Sequence, residues 1–226
     1  MAEQNTKQAG PVMDESNNGN EAFFLKYKTA IIGCFVALVL IIAGGMWFKS
    51  YKAEQNEKAS TAMAKAQDNF MKGNYEPALN GDSTGVAGFL KVASEYGSTD
   101  AGNLANLYAG LCYANLGQWE NAAQSIEKFD YSDDQMVSPA ALGALGNVYA
   151  NLNQLDKAVS TLTKAAERAD NSSLSPTFLI QAGQILEKQE KKADALKLYQ
   201  QVKEKYFNSV IVQQNKIDEY IERVSE

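Results

Sequence analysis

Residues 104–129 read LANLYAGLCYANLGQWENAAQSIEKF, and this stretch determines the fold because its pattern returns twice downstream. It predicts two antiparallel helices, the first of which ends at Gly117, a residue able to adopt the left-handed conformation that closes a helix. Gly110 on the first helix and Ala122 on the second lie twelve residues apart and have almost no side chain. We therefore expect the two backbones to approach closely at this pair.

The same order of residues recurs at offsets of 36 and 37 residues, and each copy again places an alanine twelve positions after a glycine. A period of that size is the sequence signature of a helical solenoid, in which stacked hairpins bury apolar faces that a single hairpin leaves exposed. The predicted packing residues of the three copies are Gly110, Tyr113, Trp119 and Ala122, then Gly146, Tyr149 and Ala158, then Gly183 and Ala195.

This order of small residue, aromatic, glycine, aromatic and alanine resembles the tetratricopeptide repeat (TPR) signature. The second copy has Asn153 at the turn, which can also take the left-handed conformation, and the third lacks both aromatics. Ahead of the three copies, Ala66 and Ala78 fit a degenerate first repeat that is interrupted by a Gly- and Asp-rich loop at residues 80–85. The sequence therefore predicts an all-α TPR-like solenoid.

An apolar block lies ahead of the repeats. Residues 29–48, TAIIGCFVALVLIIAGGMWF, contain no charge and are flanked by lysines on both sides. Twenty helical residues at ~1.5 Å each span ~30 Å, the thickness of the bilayer core, so we expect a single transmembrane helix. The competing interpretations are a cleaved signal peptide, for which residues 43–45 offer a small-residue site, and a buried soluble helix. The flanking lysines do not decide the orientation.

The predicted organisation has a C-terminal cap, because Ile217, Ile221 and Val224 form one apolar stripe on a last helix. The segments in order are a disordered polar tail at 1–28, a transmembrane anchor at 29–48, a juxtamembrane helical linker at 49–58, and a TPR-like domain at 59–226. Within that domain we place a degenerate repeat at 59–99, repeats at 100–137, 138–174 and 175–208, and a capping helix at 209–226.

The composition argues against several classes of function. The chain has no histidine, which removes the commonest general base and the commonest metal ligand, so we expect no enzyme, no cofactor and no small-molecule substrate. A formal charge of −6 without a basic cluster argues against binding of nucleic acid. The two cysteines make a disulfide framework improbable and do not fix the compartment.

A protein-binding groove is the remaining candidate site. In TPR domains the concave wall is built from the first helix of each hairpin, on the face away from its partner. Here the first helices, 104–115, 139–152 and 177–186, contain no lysine or arginine, which excludes a basic clamp for a carboxylate within them. The wall instead suits extended or helical segments with apolar side chains, unless the first repeat or its loop covers the leucines. Its predicted residues are Leu104, Leu107, Tyr108, Leu111, Gly143, Asn147, Ile180 and Gln184.

One anchor helix followed by an acidic TPR domain resembles the ancillary subunit family of the bacterial Sec translocon (YfgM-like proteins). The resemblance implies a single-pass protein of the bacterial inner membrane with a periplasmic TPR domain. Its implied partners are translocon subunits, periplasmic chaperones and exported chains. Two alternatives stay open: a scaffold for envelope assembly or cell division, and a docking protein whose repeats face the cytoplasm.

Overall fold

The computed structural model describes residues 16–83 and 85–225, and within them every regular element is a helix. There are eleven: α1 Ser16–Met71, α2 Tyr75–Asn80, α3 Phe89–Tyr96, α4 Asp100–Asn115, α5 Trp119–Glu127, α6 Val137–Asn151, α7 Leu155–Ala169, α8 Ser175–Lys188, α9 Lys192–Lys205, α10 Val210–Gln213 and α11 Lys216–Ser225.

The chain divides into two compact units, residues 1–51 and 52–226. In the first unit the described residues belong to α1, which begins at Ser16, so residues 16–28 are helical although their composition predicts a disordered tail. Residues 1–15 of that predicted tail lie outside the described residues. The part Leu25–Met71 is long and apolar enough to cross a membrane: its most apolar 18-residue window has a mean hydropathy of 2.5, and none of that window is buried.

In the second unit the helices α4 and α5, α6 and α7, and α8 and α9 form three successive hairpins. In each hairpin the second helix packs directly against the glycine of the first. A Cβ added at Gly110 would lie 2.4 Å from Ile126 Cγ1, one at Gly146 would lie 2.7 Å from Leu162 Cγ, and one at Gly183 would lie 2.4 Å from Tyr199 Cε1. A large side chain of the second helix thus fills the space above each glycine, sixteen residues further along the chain.

The hairpin turns share one backbone conformation. Gly117, Asn153 and Glu190 have positive φ angles of 73°, 56° and 59°. After each of them an amide bonds back to the carbonyl five residues earlier at 2.9 Å, which is the Schellman motif that ends helices. The left-handed conformation predicted for Gly117 and Asn153 is confirmed, and Glu190 adopts it as well.

Three apolar clusters run along the unit from its start to its C-terminal end. The first joins α1 to α4 around Met63, Phe89 and Cys112. The second joins α4, α5 and α6 and includes Ile126. The third extends from α6 to α11 and includes Leu162. Helix α4 and helix α6 each contribute to two clusters, so consecutive hairpins share one continuous core.

Hydrogen bonds between residues 36 positions apart tie equivalent points of neighbouring repeats together. Asn171 Nδ2 donates to the Gln135 carbonyl at 3.2 Å, and Arg223 donates two bonds of 2.8 Å to the Glu187 carboxylate. The remaining pairs with this separation are Arg168 with the Ser132 carbonyl, Ser172 with Asn208, and Tyr206 with Asp170. Polar contacts between neighbouring repeats therefore have the spacing of the repeat, as the apolar packing does.

The ends of the second unit are less regular. Between α2 and α3 the chain forms one antiparallel bridge, Gly81 with Ala87, where the composition predicts a loop. The predicted last helix is divided into α10 and α11, which meet at Asn215 with φ 56°. In α11 the side chains of Ile217 and Val224 are buried, so the helix covers the end of the third cluster.

Candidate protein-binding groove

The predicted wall residues of the first repeat lie in a crowded environment. The Tyr108 ring stacks on Phe89 with 5.0 Å between centroids and meets the edge of Phe70 at 5.4 Å. Leu104 packs against both the first and the second cluster, and Leu107 is only 7% exposed. The degenerate first repeat therefore covers much of this part of the predicted wall.

Two further wall residues lie at contacts between helices. A Cβ added at Gly143 would lie 2.3 Å from the Phe178 ring, so this glycine lets α6 and α8 approach each other. Ile180 is 7% exposed and belongs to the third cluster. Both side chains support the stacking of hairpins, and neither offers much surface to a partner.

The accessible part of the predicted wall is a row of three residues, Leu111, Asn147 and Gln184, which occupy equivalent positions in successive hairpins. Leu111 is half-buried, whereas Asn147 and Gln184 are exposed. In the described part of the chain the carboxamides of Asn147 and Gln184 have no hydrogen-bond partner. Each is therefore free to bind a main-chain amide and carbonyl of a peptide.

Neighbouring carboxamides are not equally available. Asn115 Nδ2 donates to the Leu111 carbonyl at 2.8 Å, and Asn151 Nδ2 donates to the Asn147 carbonyl at 2.9 Å. These two amides are held by their own helices. Both bonds run to the main-chain carbonyl four residues earlier, a local acceptor that a side chain on any helix can use.

Two of the three helices that carry the wall row, α4 and α6, have almost no charge, whereas α8 ends with Glu187 and Lys188. Helix α6 has no ionisable acid or base other than Tyr149, and α4 has one acid, Asp100 in its first turn. Tyr149 donates its hydroxyl to the Glu127 carboxylate, and burial together with this bond raises the pKa of the phenol to about 12. The accessible surface at Leu111 and Asn147 is thus neutral at physiological pH and suits an uncharged segment, whereas Gln184 lies beside Glu187, Lys188 and Arg223.

The residues predicted to pack the hairpins lie inside them. The small residues Gly110, Gly146, Gly183, Ala122, Ala158 and Ala195 are all buried. The aromatic residues Tyr113, Trp119 and Tyr149 are half-buried against the clusters. Among the residues that the structure describes, no group of three or more acidic or cysteine side chains is arranged to hold a metal ion.

A cleft that the sequence did not indicate lies beside Thr177 and Ile180, at the C-terminal end of the predicted wall. It is bounded by α10 and the start of α11, and Ser209 and Lys216 contribute to its lining. The signal for it in the sequence is faint: residues 206–209, YFNS, end one helix and begin the next, as residues 96–99, YGST, do earlier.

The model of the tetratricopeptide repeat-like domain family matches residues 21–220. This chain therefore belongs to that family. Among solved structures, it is similar to the TPR-like repeats of a putative kinesin light chain from Podosopora anserina and to a point variant of the same repeats. Each has a TM-score of 0.53 and 13% identity, and each match covers 75% of this chain and 94% of the other. At that identity the likeness concerns the fold. A comparison with curated proteins gives no match.

Proposed function

We propose that this protein is a membrane-anchored TPR scaffold that binds other proteins at the bacterial inner membrane, beside the Sec translocon. Its proposed partners are translocon subunits, periplasmic chaperones and exported chains, and its proposed role is to assist their translocation or folding. The repeats would face the periplasm. The observation that carries the binding function is the neutral row Leu111, Asn147 and Gln184, with its two free carboxamides.

This row has the chemistry needed to bind an extended polypeptide with little regard for its sequence. A carboxamide can donate to a peptide carbonyl and accept from a peptide N–H, contacts that every sequence offers. Packed helices lie ~8–10 Å apart, and an extended strand advances ~3.3 Å per residue, so adjacent carboxamides would contact positions about three residues apart. Leu111 would add an apolar contact at one end.

The candidate membrane span supports the proposed location. Tethering raises the effective concentration of the repeats near other membrane-bound proteins, so a groove with few strong contacts can still be occupied. Weak, reversible binding also suits a scaffold that meets many exported chains. The family of the chain supports protein binding in general, and the translocon as the particular partner belongs to the proposal.

The test is photo-crosslinking in intact cells from a photoreactive amino acid at Asn147, with the same amino acid at exposed Ser160 on α7 as the matched control. We expect translocon subunits, periplasmic chaperones or exported chains to be captured from position 147 and not from position 160. Equal capture from both positions would contradict the groove. Capture of cytoplasmic proteins alone would contradict the periplasmic orientation.

A further inference from the structure

The cleft beside Thr177 and Ile180 has a chemistry unlike that of the neutral row. It is an open cleft of about 540 Å³ between the start of α8 and the α10–α11 turn. Its lining includes the side chains of Ser209, Gln214 and Lys216, and it contains no aspartate or glutamate. The sole charged residue of this lining is a lysine, so the cleft offers a favourable charge to an anionic group.

The Lys216 ammonium is available to a ligand. It is exposed, and within the described ranges 16–83 and 85–225 no ion pair engages it. The nearby acid Asp218 is held by Lys203, whose ammonium lies 2.7 Å from the carboxylate. Because Asp218 is paired with Lys203, it does not neutralise the ammonium of Lys216.

A buried hydroxyl of the same cleft also lacks a partner. Ser209 is 3% exposed, and among the described residues its Oγ makes no hydrogen bond. Buried polar groups are nearly always hydrogen-bonded, and three other buried hydroxyls at the starts of first helices obey that rule. Thr99 bonds the Tyr96 carbonyl at 2.8 Å, Ser138 the Ser132 carbonyl at 3.0 Å, and Ser175 the Ala166 carbonyl at 2.8 Å.

Apolar surface adjoins these polar groups. Ile180 contributes to one side of the cleft and Ile211, which is half-buried, to the other. Val210 is 67% exposed at the rim, unusual for a large aliphatic side chain of this unit. A ligand that satisfies the whole cleft must present an apolar side chain next to an anionic group.

We propose that this cleft binds an aspartate or glutamate side chain that lies beside an apolar residue in an extended segment of a partner protein. The carboxylate pairs with the Lys216 ammonium, and rotation of the Ser209 side chain brings its buried hydroxyl to the cleft surface, where it donates a hydrogen bond to the same carboxylate. The apolar neighbour packs on Val210 and Ile211. The inference rests on the proposed protein-binding function and adds a selectivity to it. Because Thr177 and Ile180 also belong to the first-helix face, one segment can reach both the cleft and the neutral row.

The experiment measures peptide affinity for the full chain in detergent micelles at low salt. The probes are the peptide GSLLDSLG and its counterpart GSLLNSLG, both with blocked ends and a neutral fluorophore, so that only the side-chain carboxylate differs. We expect the acidic peptide to bind about fivefold more tightly, the upper range for an exposed charge pair. The preference should disappear in Lys216→Gln and persist in Lys164→Gln, a matched exposed lysine on α7.

Ser209→Ala and Ser175→Ala provide the second pair of variants. Ser209→Ala should weaken binding of the acidic peptide about twofold without lowering the melting temperature, because no bond within the protein is lost. Ser175→Ala, which removes a bonded hydroxyl, should lower the melting temperature.

An acid preference that survives Lys216→Gln, or no preference in the wild-type chain, would overturn the carboxylate site. Neither result would decide whether the row Leu111, Asn147 and Gln184 binds proteins, because that function has its own tests. Asn147→Leu, which removes the carboxamide without adding charge, should weaken both peptides alike if the neutral row binds protein segments, and crosslinking from position 147 does not depend on Lys216.

Discussion

At the scale of single residues, the turn positions show how far a repeat can depart from its pattern. Gly117, Asn153 and Glu190 adopt the same left-handed conformation, but they do not adopt it at the same cost. Glycine enters this region freely and asparagine with little strain, whereas a side chain such as that of glutamate costs roughly 1–2 kcal/mol. Glu190 is therefore a strained residue, kept in place by the Schellman bonds around it.

Replacing Glu190 by glycine should raise the stability of the repeats by about 1 kcal/mol, because the strain is released while the turn is unchanged. In thermal unfolding of the full chain in detergent this corresponds to an increase of about 2–4 °C. The reciprocal change, Gly117→Ala, should lower the melting temperature by a similar amount. A Glu190→Gly variant that melts at or below the wild-type temperature would contradict the assigned backbone strain.

At the scale of helices and hairpins, the closest contacts are those of the first-helix glycines with the large residues of the second helix. Leu162 and Tyr199 are fully buried, and each lies over a glycine that has no room for a Cβ. The pairing of a missing side chain with a large one fixes where the two helices cross. The hairpin geometry is therefore sensitive to a single added methyl group.

Gly146→Ala should destabilise the second hairpin by about 1–3 kcal/mol, because the new methyl carbon would lie 2.7 Å from Leu162 Cγ. The measurement is the thermal unfolding of the full chain. Gly44→Ala is the matched control: nothing lies within 4 Å of the added Cβ, so the same substitution should not lower the melting temperature. Equal behaviour of the two variants would sink the proposed close packing.

The sequence predicted these hairpins because their determinants are local. The glycine, the alanine twelve residues later and the turn residue lie within one hairpin, so Gly110, Ala122 and Gly117 can be read without knowing where the next repeat lies. The exposure of the wall residues could not be predicted in this way. Tyr108 packs on Phe70 and Phe89, and the Phe178 ring occupies the space beside Gly143. Both contacts depend on the position of an element outside the hairpin.

The C-terminal helix α11 is fastened by a polar network that periodicity did not predict. The Arg223 guanidinium donates two bonds of 2.8 Å to Glu187 on α8, and the Tyr199 hydroxyl of α9 donates to the same carboxylate. The bonds from Arg223, more than the others, hold the pKa of Glu187 below its usual range despite partial burial. Three helices are thus joined at one acid.

Arg223→Gln should lower the free energy of unfolding by about 1 kcal/mol at pH 7, a value reduced for the exposure of the arginine. Because the folded pKa of Glu187 is below the unfolded value of about 4.3, its contribution is complete above that pH and is lost as pH falls through the folded pKa. The difference between wild type and variant should therefore shrink from pH 7 to pH 3 in urea unfolding.

A matched control for this network is Lys197→Gln. Lys197 forms an exposed pair with Asp194, three residues earlier on α9, so its loss should leave the free energy of unfolding at pH 7 almost unchanged. A constant difference between wild type and Arg223→Gln across the pH range would show that Glu187 does not mediate the effect.

At the scale of the whole molecule, the chain combines two units with opposite surfaces. The described apolar residues of the first unit are exposed, among them Leu40, Ile41 and Phe35, whereas the second unit buries its apolar residues in three clusters. Exposed apolar side chains in such number are stable in lipid and costly in water. This contrast is the physical basis for the proposed anchor.

The proposed anchor predicts that the full chain stays in the membrane fraction after extraction with alkaline carbonate. Replacing Val39 and Leu40 together by arginine should release much of it, because each arginine near the centre of a span costs about 2.5–3.5 kcal/mol on insertion scales. Ala64→Arg, at an exposed position of α1 outside the apolar segment, should leave the chain in the membrane fraction. Release of the wild-type chain would contradict the anchor.

The polar contacts between residues 36 positions apart have a consequence for the order in which the second unit forms during synthesis. Each hairpin bonds to its neighbours, so the contacts that stabilise it span short stretches of chain. During synthesis from the N-terminus, one hairpin can therefore fold while the next is still being made. The hairpins can form in order along the chain, and α11 covers the third apolar cluster only after residues 216–225 have been made.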